Sequence, residues 1–400
     1  MNGQQCKDDC LNPTSPDRYL LKFCCQYATP VSKINIAICT DGIYPHATGG
    51  MQKHSRLLIE ELVKDDSLHI TVLHPHKENV FNDPRLQEIS VAPIDTQKNY
   101  LLECYKYSGR IGAILDKLDV DIIYSQGLSV WAGIDRFKHK LIVNPHGLEP
   151  HQAIGFKNRL LAIPFKWVFG YIFNKASMVI SLGGKLTDIL RKHISNPGKI
   201  CTAPNGVLVP LHTAAPSGNK GRVNVLFLAR FAANKGINIL FEAIDQLHAS
   251  GELDGFEFVL GGKGPLYEYY RQKNQYEQVR LLGFVADEEI GNLYQQAHVF
   301  VLPTLFEGMP TVVLEAMSYR LPIIVTDVGA TAELVDDTNG FLINANAVQQ
   351  LTGALRAFRD LDAETRRKMG EASRTKVEQR FTWKAVADVH KTLFHQLLNK

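Results

Sequence analysis

Two stretches of this chain alternate short apolar runs with helix-spaced segments, and that alternation restricts the fold more than any other feature. The first stretch runs through KINIAICTD, QKHSRLLIEELVKD, LHITVLHPH, DVDIIYSQG and KLIVNPHG, a helix-rich segment over 156–176, then MVISLGG and KICTAPNG. The second runs through VNVLFLAR, GINILFEAIDQLHA, FEFVLGGKG, VRLLGF, HVFVLPT, PTVVLEAMSY and LPIIVTD. Strand–helix–strand alternation predicts parallel sheets covered by helices on both faces. Between the stretches lies VLVPLHTAAPSGNKGR, rich in Pro, Gly and small polar residues, which has the composition of a linker. The expected class is α/β, with two Rossmann-like domains facing an inter-domain cleft, because ligands of open α/β sheets bind outside the carboxyl ends of the strands. The expected divisions are an extension at 1–32, a first domain at 33–206, the linker at 207–222, a second domain at 223–380 and a final helix at 381–400.

Four hundred residues suit two such domains. An apolar share of 45% and a charged share of 21% describe a soluble globular protein, and a net charge of +3 gives no argument for nucleic acid. The seven cysteines are an odd number in a long chain, which points to a reducing cytoplasm. Cys6/Cys10 and Cys24/Cys25 have no histidine beside them and are expected to be free thiols rather than a metal clip. Residues 1–18 lack an apolar core, so no signal peptide is expected, and no apolar run is long enough to span a membrane.

Loops that follow strands carry the unusual residues. After the first strand, Gly49 and Gly50 precede a helix and would let a ligand phosphate approach the backbone. A dinucleotide GxGxxG pattern is absent there, against a nicotinamide enzyme. After KLIVN, His146 sits at a strand's carboxyl edge, where it can donate to a sugar hydroxyl or move a proton. In RFAANKG, Arg230 and Lys235 bracket a loop that leads into a helix, a pairing suited to a diphosphate. FVLGGKGP, with Gly261, Gly262 and Gly264, adds a third loop of close approach.

The segment FEGMPTVVLEAM places Glu307 in a loop and Glu315 in the following helix, with Pro310 expected at the first helical position. A carboxylate near a diphosphate is repelled, by about 4 kcal/mol at 4 Å with an effective dielectric of 20. Two there make sense when the ligand also brings hydroxyl donors, as ribose and a transferred sugar do. Arg230 and Lys235 would offset the repulsion.

With these residues the chain resembles the retaining group 1 glycosyltransferases (glycosyltransferase family 4) of the GT-B fold, over nearly all of 33–395. The E-x7-E pair Glu307 and Glu315 carries most of the resemblance, joined by RFAANKG, PNGV at 204–207, TGG at 48–50, the PHG histidine and FTW at 381–383. The resemblance implies a metal-independent, cofactor-free enzyme that moves a sugar from a nucleotide-diphosphate sugar to a hydroxyl of a glycan, lipid-linked or small-molecule acceptor, with retention, in polysaccharide or glycolipid biosynthesis. The first domain would face the acceptor and the second the donor, with the last helix returning to the first domain. Arg230 and Lys235 would bind the diphosphate, Glu315 the ribose and Glu307 the donor sugar. The segment Gly308, Met309, Pro310, Thr311 and Val312 would meet sugar and phosphate through its backbone. Gly49 and Gly50 would reach the diphosphate on domain closure, His146 would lie near the reacting carbon, and Gly283 and Val285 would lie against the base. His146 and Glu307 are the catalytic candidates. Another GT-B enzyme, such as a nucleotide-sugar epimerase or a phosphorylase, and a non-catalytic nucleotide-sugar binding module are the alternatives.

Residues 157–175, KNRLLAIPFKWVFGYIFNK, combine Leu160, Leu161, Phe165, Trp167, Val168, Phe169, Tyr171 and Phe173 with Lys157, Arg159, Lys166 and Lys175. Such a helix can lie in a headgroup region, which adds peripheral contact at the inner membrane face to the expected cytoplasmic location. The competing expectation is a core helix, broken at Pro164.

Overall fold

The computed structural model describes residues 33–153, 155–211 and 221–399. The cysteines of the extension and most of the linker lie outside that range. The first unit comprises β1 (Ile34–Cys39), α1 (Gly50–Leu62), β2 (Leu68–His74), β3 (Leu86–Ser90), α2 (Tyr100–Leu115), β4 (Ile122–Gln126) and β5 (Leu141–Asn144). It continues with α3 (Phe156–Leu161), α4 (Ile163–Lys175), β6 (Met178–Ser181), α5 (Gly184–His193) and β7 (Ile200–Thr202). Its seven parallel strands run in the order β3-β2-β1-β4-β5-β6-β7. Central strands such as IIYSQ and LIVN are buried at every position, because helices cover both faces of the sheet.

The second unit repeats the plan with β8 (Val223–Leu228), α6 (Ile237–Ala249), β9 (Phe256–Gly261), α7 (Tyr267–Lys273), β10 (Val279–Gly283), α8 (Asp287–Gln296) and β11 (Val299–Leu302). Next come α9 (Thr311–Ser318), β12 (Ile323–Thr326), β13 (Gly340–Ile343), α10 (Val348–Asp360), α11 (Ala363–Lys376) and α12 (Trp383–Leu398). Its six-stranded parallel sheet has the order β10-β9-β8-β11-β12-β13. The strand order reverses beside β1 in one sheet and beside β8 in the other, and the loops after these strands face each other across the cleft.

The last helix belongs to the first unit's core. Trp383, Val386, Ala387, Phe394 and Leu397 are buried with Ile36, Ile38, Ile70 and Tyr124 of the first sheet. The chain crosses at a π-type turn over Val377–Phe381. There Val207 N–H donates to Phe381 C=O at 2.8 Å, so the outgoing and returning segments lie side by side.

The basic apolar segment divides where its proline requires. Helix α3 ends at Leu161 and Pro164 occupies the first turn of α4. Phe169, Ile172 and Phe173 pack inward, whereas Phe156, Leu160, Leu161 and Trp167 are 58–84% exposed. The core expectation holds for one face of α4 only.

Candidate active site

A cavity of about 510 Å³ lies between the two units, lined from the first by Gly50, Met51, His146 and Gly147 and from the second by Arg230, Lys235, Glu307 and Gly308–Val312. A second cavity of about 280 Å³ adjoins it through the shared residues Gly50, Asn205 and Thr311, and Glu315, Lys53 and Tyr294 line it. The structure thus brings His146, Gly50, Arg230, Lys235, Glu307, the 308–312 segment and Glu315 to one continuous space.

Two helix N-termini open into the larger cavity. Helix α1 begins at Gly50 and α9 at Thr311; neither has a side-chain cap or an acidic residue in its first turn. Their free N–H groups and dipole ends favour an anion between them. Pro310 is the residue before α9 rather than its first member; its C=O accepts from Val313 N–H at 3.1 Å. Proline fits there because no N–H is needed ahead of the helix.

Lys235 Nζ lies 2.6 Å from Glu307 Oε1, and Thr304 Oγ1 donates to the same oxygen at 3.1 Å. Glu307 therefore arrives at the cavity already paired with the cation that the sequence assigns to the phosphate. Arg230 is exposed beside it and makes no ion pair among the described residues. Glycines of the 261–264 loop have a different purpose from the one expected. A Cβ at Gly262, where φ is +130°, would lie 1.9 Å from Ala229 O, and one at Gly264 would lie 2.4 Å from Phe231 O. What approaches this loop closely is the backbone that carries Arg230.

Glu315 accepts a hydrogen bond from Tyr294 Oη at 3.1 Å. Burial lifts its carboxyl above the ordinary glutamate range, with Lys53 and the Tyr294 hydroxyl pulling the other way. Tyr294 stacks on Tyr319 at 5.1 Å, which fixes the phenol. Gly49 precedes the cavity wall without forming it, and Gly283 and Val285 lie off both linings. The helix that follows them, α8, reaches the smaller cavity through Asp287 and Ile290.

His146 adopts a left-handed backbone with φ +60°, which costs a non-glycine residue free energy. Its Nε2 is buried without a hydrogen-bond partner among the described residues. Burial, with a smaller contribution from His390, holds its pKa down to about 3, so the ring is neutral at pH 7. The ring of His54 on α1 packs edge-on against it at 4.7 Å.

Several residues here escaped the sequence reading. Asn205, inside PNGV, donates through Nδ2 to Met309 C=O at 3.0 Å and joins the two units at the cavity floor. Lys53, one turn after the glycine pair, and Tyr294 had no signal beyond helical spacing. Elsewhere on the cleft Gln152 donates to Glu307 C=O at 3.3 Å, and Lys185 pairs with Asp327 at 2.8 Å. Both contacts link the two units.

A family model described as "Glycosyl transferases group 1" matches residues 222–360, and one described as "Glycosyltransferase Family 4" matches residues 48–208. The chain is 26% identical over 367 residues to an uncharacterized glycosyltransferase of Methanocaldococcus jannaschii, covering 90% of this chain and 98% of that one. It is 30% identical over 229 residues to the UDP-Gal:alpha-D-GlcNAc-diphosphoundecaprenol alpha-1,3-galactosyltransferase of Escherichia coli, covering 51% of this chain and 58% of the relative. Sucrose-phosphate synthase of Thermosynechococcus elongatus superposes with a TM-score of 0.74 at 20% identity, over 92% of this chain and 100% of that structure. The two models fall on the two sheets whose facing loops build the cavity, and the chain belongs to the group 1 glycosyltransferases, with the GT-B fold.

Proposed function

We propose that this glycosyltransferase moves a sugar from a nucleoside-diphosphate sugar to a hydroxyl of a lipid-linked acceptor, with retention and without a metal. The observation that carries the reading is the pair of uncapped helix N-termini facing one cavity that also holds Arg230 and Lys235. That set suits a diphosphate leaving group, whose growing charge it would meet as the bond to the sugar breaks. The nucleoside then extends into the smaller cavity, where Glu315 accepts from the ribose hydroxyls. Glu307 and His146 are left to the donor sugar: Glu307 accepts from its hydroxyls, and neutral His146 donates near the reacting carbon. In the step itself the C1–O bond to the diphosphate breaks and its electron pair stays on the phosphate oxygen. The acceptor oxygen bonds to C1 on the same face, and the acceptor proton passes to the leaving phosphate. Cationic side chains and N–H dipoles supply the charge stabilisation that a divalent cation would otherwise give.

A lipid-linked acceptor is favoured by the apolar surface of α3 and α4. Phe156, Leu160, Leu161, Ile163, Trp167 and Tyr171 are exposed beside Lys157, Arg159 and Lys166. Helix α4 packs on the Glu149–Gln152 turn that follows the His146 loop, and Glu149 of that turn lines the larger cavity. Aromatic and basic residues together suit an anionic bilayer surface. The Escherichia coli relative is named for a diphosphoundecaprenol acceptor, which supports the same class.

The test is transfer from a panel of UDP-, GDP- and ADP-sugars to a sugar-diphospho-polyprenol, with and without EDTA, and the anomeric configuration read by proton NMR. An α-linked product from an α-linked donor, at a rate EDTA does not change, is expected. Inversion, or loss of turnover on chelation, contradicts the reading.

A further inference from the structure

A hydrogen-bonded chain runs from the returning helix α12 through the first sheet to the backbone of His146. Asn144 Oδ1 accepts from His146 N–H at 2.9 Å, which turns the amide so that Nδ2 donates to Tyr124 Oη at 2.8 Å. With that lone pair used, the Tyr124 hydroxyl proton points to His390 Nε2 at 3.0 Å. Nε2 is then the bare nitrogen, and the ring proton lies on Nδ1, 2.8 Å from Val386 C=O. Each link forces the direction of the next. Tyr124, Asn144 and His390 are all fully buried, so no solvent competes for these bonds. Burial holds His390's pKa down to about 4, which keeps the ring neutral and Nε2 an acceptor.

The polarity of the chain explains two features together. His146 occupies a left-handed backbone that needs outside support, and Asn144 supplies it by holding the amide. Asn144 can do so only if its own amide is anchored, and the anchor is on a helix that has crossed back from the second unit.

We propose that Tyr124, Asn144 and His390 are positioning residues that hold His146 at the donor sugar, so that docking of the C-terminal helix is part of the active site. The proposal rests on the reading that His146 serves the donor sugar. None of the three side chains touches the cavity, so nucleotide affinity should not depend on them.

Two measurements test it. Long-range 1H–15N NMR of the histidine rings, with the His390 signal assigned by its loss in His390→Gln, should show the proton on Nδ1. A proton on Nε2 overturns the chain. The second is hydrolytic release of UDP from UDP-glucose and UDP-galactose and of GDP from GDP-mannose, with calorimetric affinity for UDP and GDP. Tyr124→Phe should lower kcat by about tenfold to a hundredfold and leave nucleotide affinity and donor KM within about twofold. His390→Leu should behave the same way, while His390→Gln, which keeps an acceptor facing Tyr124, should recover most of kcat. In a His146→Ala background Tyr124→Phe should have no further effect, because the chain then has nothing to position. Unchanged kcat in Tyr124→Phe, or the same loss in both backgrounds, overturns the proposal while the assignment of His146 stands. Full activity of His146→Ala removes that assignment and the proposal with it.

Discussion

Lys235 Nζ and Glu307 Oε1 are 2.6 Å apart at the wall of the cavity, so a cation and a carboxylate offered to the same ligand already neutralise each other. A diphosphate entering the site competes with Glu307 for Lys235. Replacing Glu307 by Gln removes the competitor and its repulsion. Nucleoside-diphosphate affinity of Glu307→Gln should therefore equal or exceed that of the unmodified protein, while turnover falls by at least about tenfold through loss of the sugar contact. Calorimetry beside an activity assay reads both; weakened nucleotide binding would show that Glu307 supports the phosphate instead.

Glu315 should behave in the opposite way. Its carboxyl takes the ribose hydroxyls in the proposed pose, so Glu315→Gln should weaken free nucleotide. Burial raises its folded pKa above the ordinary value of 4.5. Raised means that the neutral form is favoured in the fold, so its stabilising contribution is complete below pH 4.5 and is lost as pH rises through the folded value. Without ligand, Glu315→Gln should be the more stable protein at pH 8, and the difference should shrink toward pH 4.5. Thermal melts across that window check the sign; a variant less stable at pH 8 would reject it.

His146 holds φ +60°, where a Cβ is strained and glycine is not. His146→Gly should be about 1 kcal/mol more stable than His146→Ala, and both should lose turnover. Equal denaturation midpoints would mean that the left-handed conformation relaxes once the ring is gone.

Gly308 lies where the two units approach closely enough to exclude a Cβ. A Cβ there would lie 2.8 Å from His146 O on the facing unit. Gly308→Val should hold the units apart, with a larger radius of gyration by small-angle scattering and strongly reduced turnover, and nearly unchanged melting. An unchanged radius would place the strain within the second unit.

The exposed face of α3 and α4 predicts binding to anionic vesicles that salt reverses and that Trp167→Ser with Leu161→Ser abolishes. Co-sedimentation at low salt is the measurement. No binding of the unmodified protein would favour a soluble acceptor.

Much of the fold was legible because parallel strands buried on both faces are continuous apolar words such as VNVLFL and HVFVLPT. The strands that escaped notice, LQEIS and GFLI, sit at sheet edges, where half-exposed residues dilute the pattern. Candidate site residues were legible where one motif spans a loop and the helix after it, as with Glu307 and Glu315. Residues that act across the cleft or through the sheet were not. Asn205 meets Met309, and Tyr124 meets His390, only because the fold brings segments 104 and 266 positions apart together. Similarly, exposure of Trp167 on a helix whose Phe173 is buried is a property of packing, which spacing alone does not separate.

The most direct measurement is calorimetric titration of UDP, GDP and ADP into the unmodified protein and into Arg230→Ala/Lys235→Ala. One of the three should bind the unmodified protein at one site per chain. The double variant should lose about 2–5 kcal/mol of that affinity, the usual cost of truncating a charge that meets a buried partner. Absence of binding by all three nucleotides, or equal affinity of the double variant, would contradict a diphosphate site between the two helix N-termini.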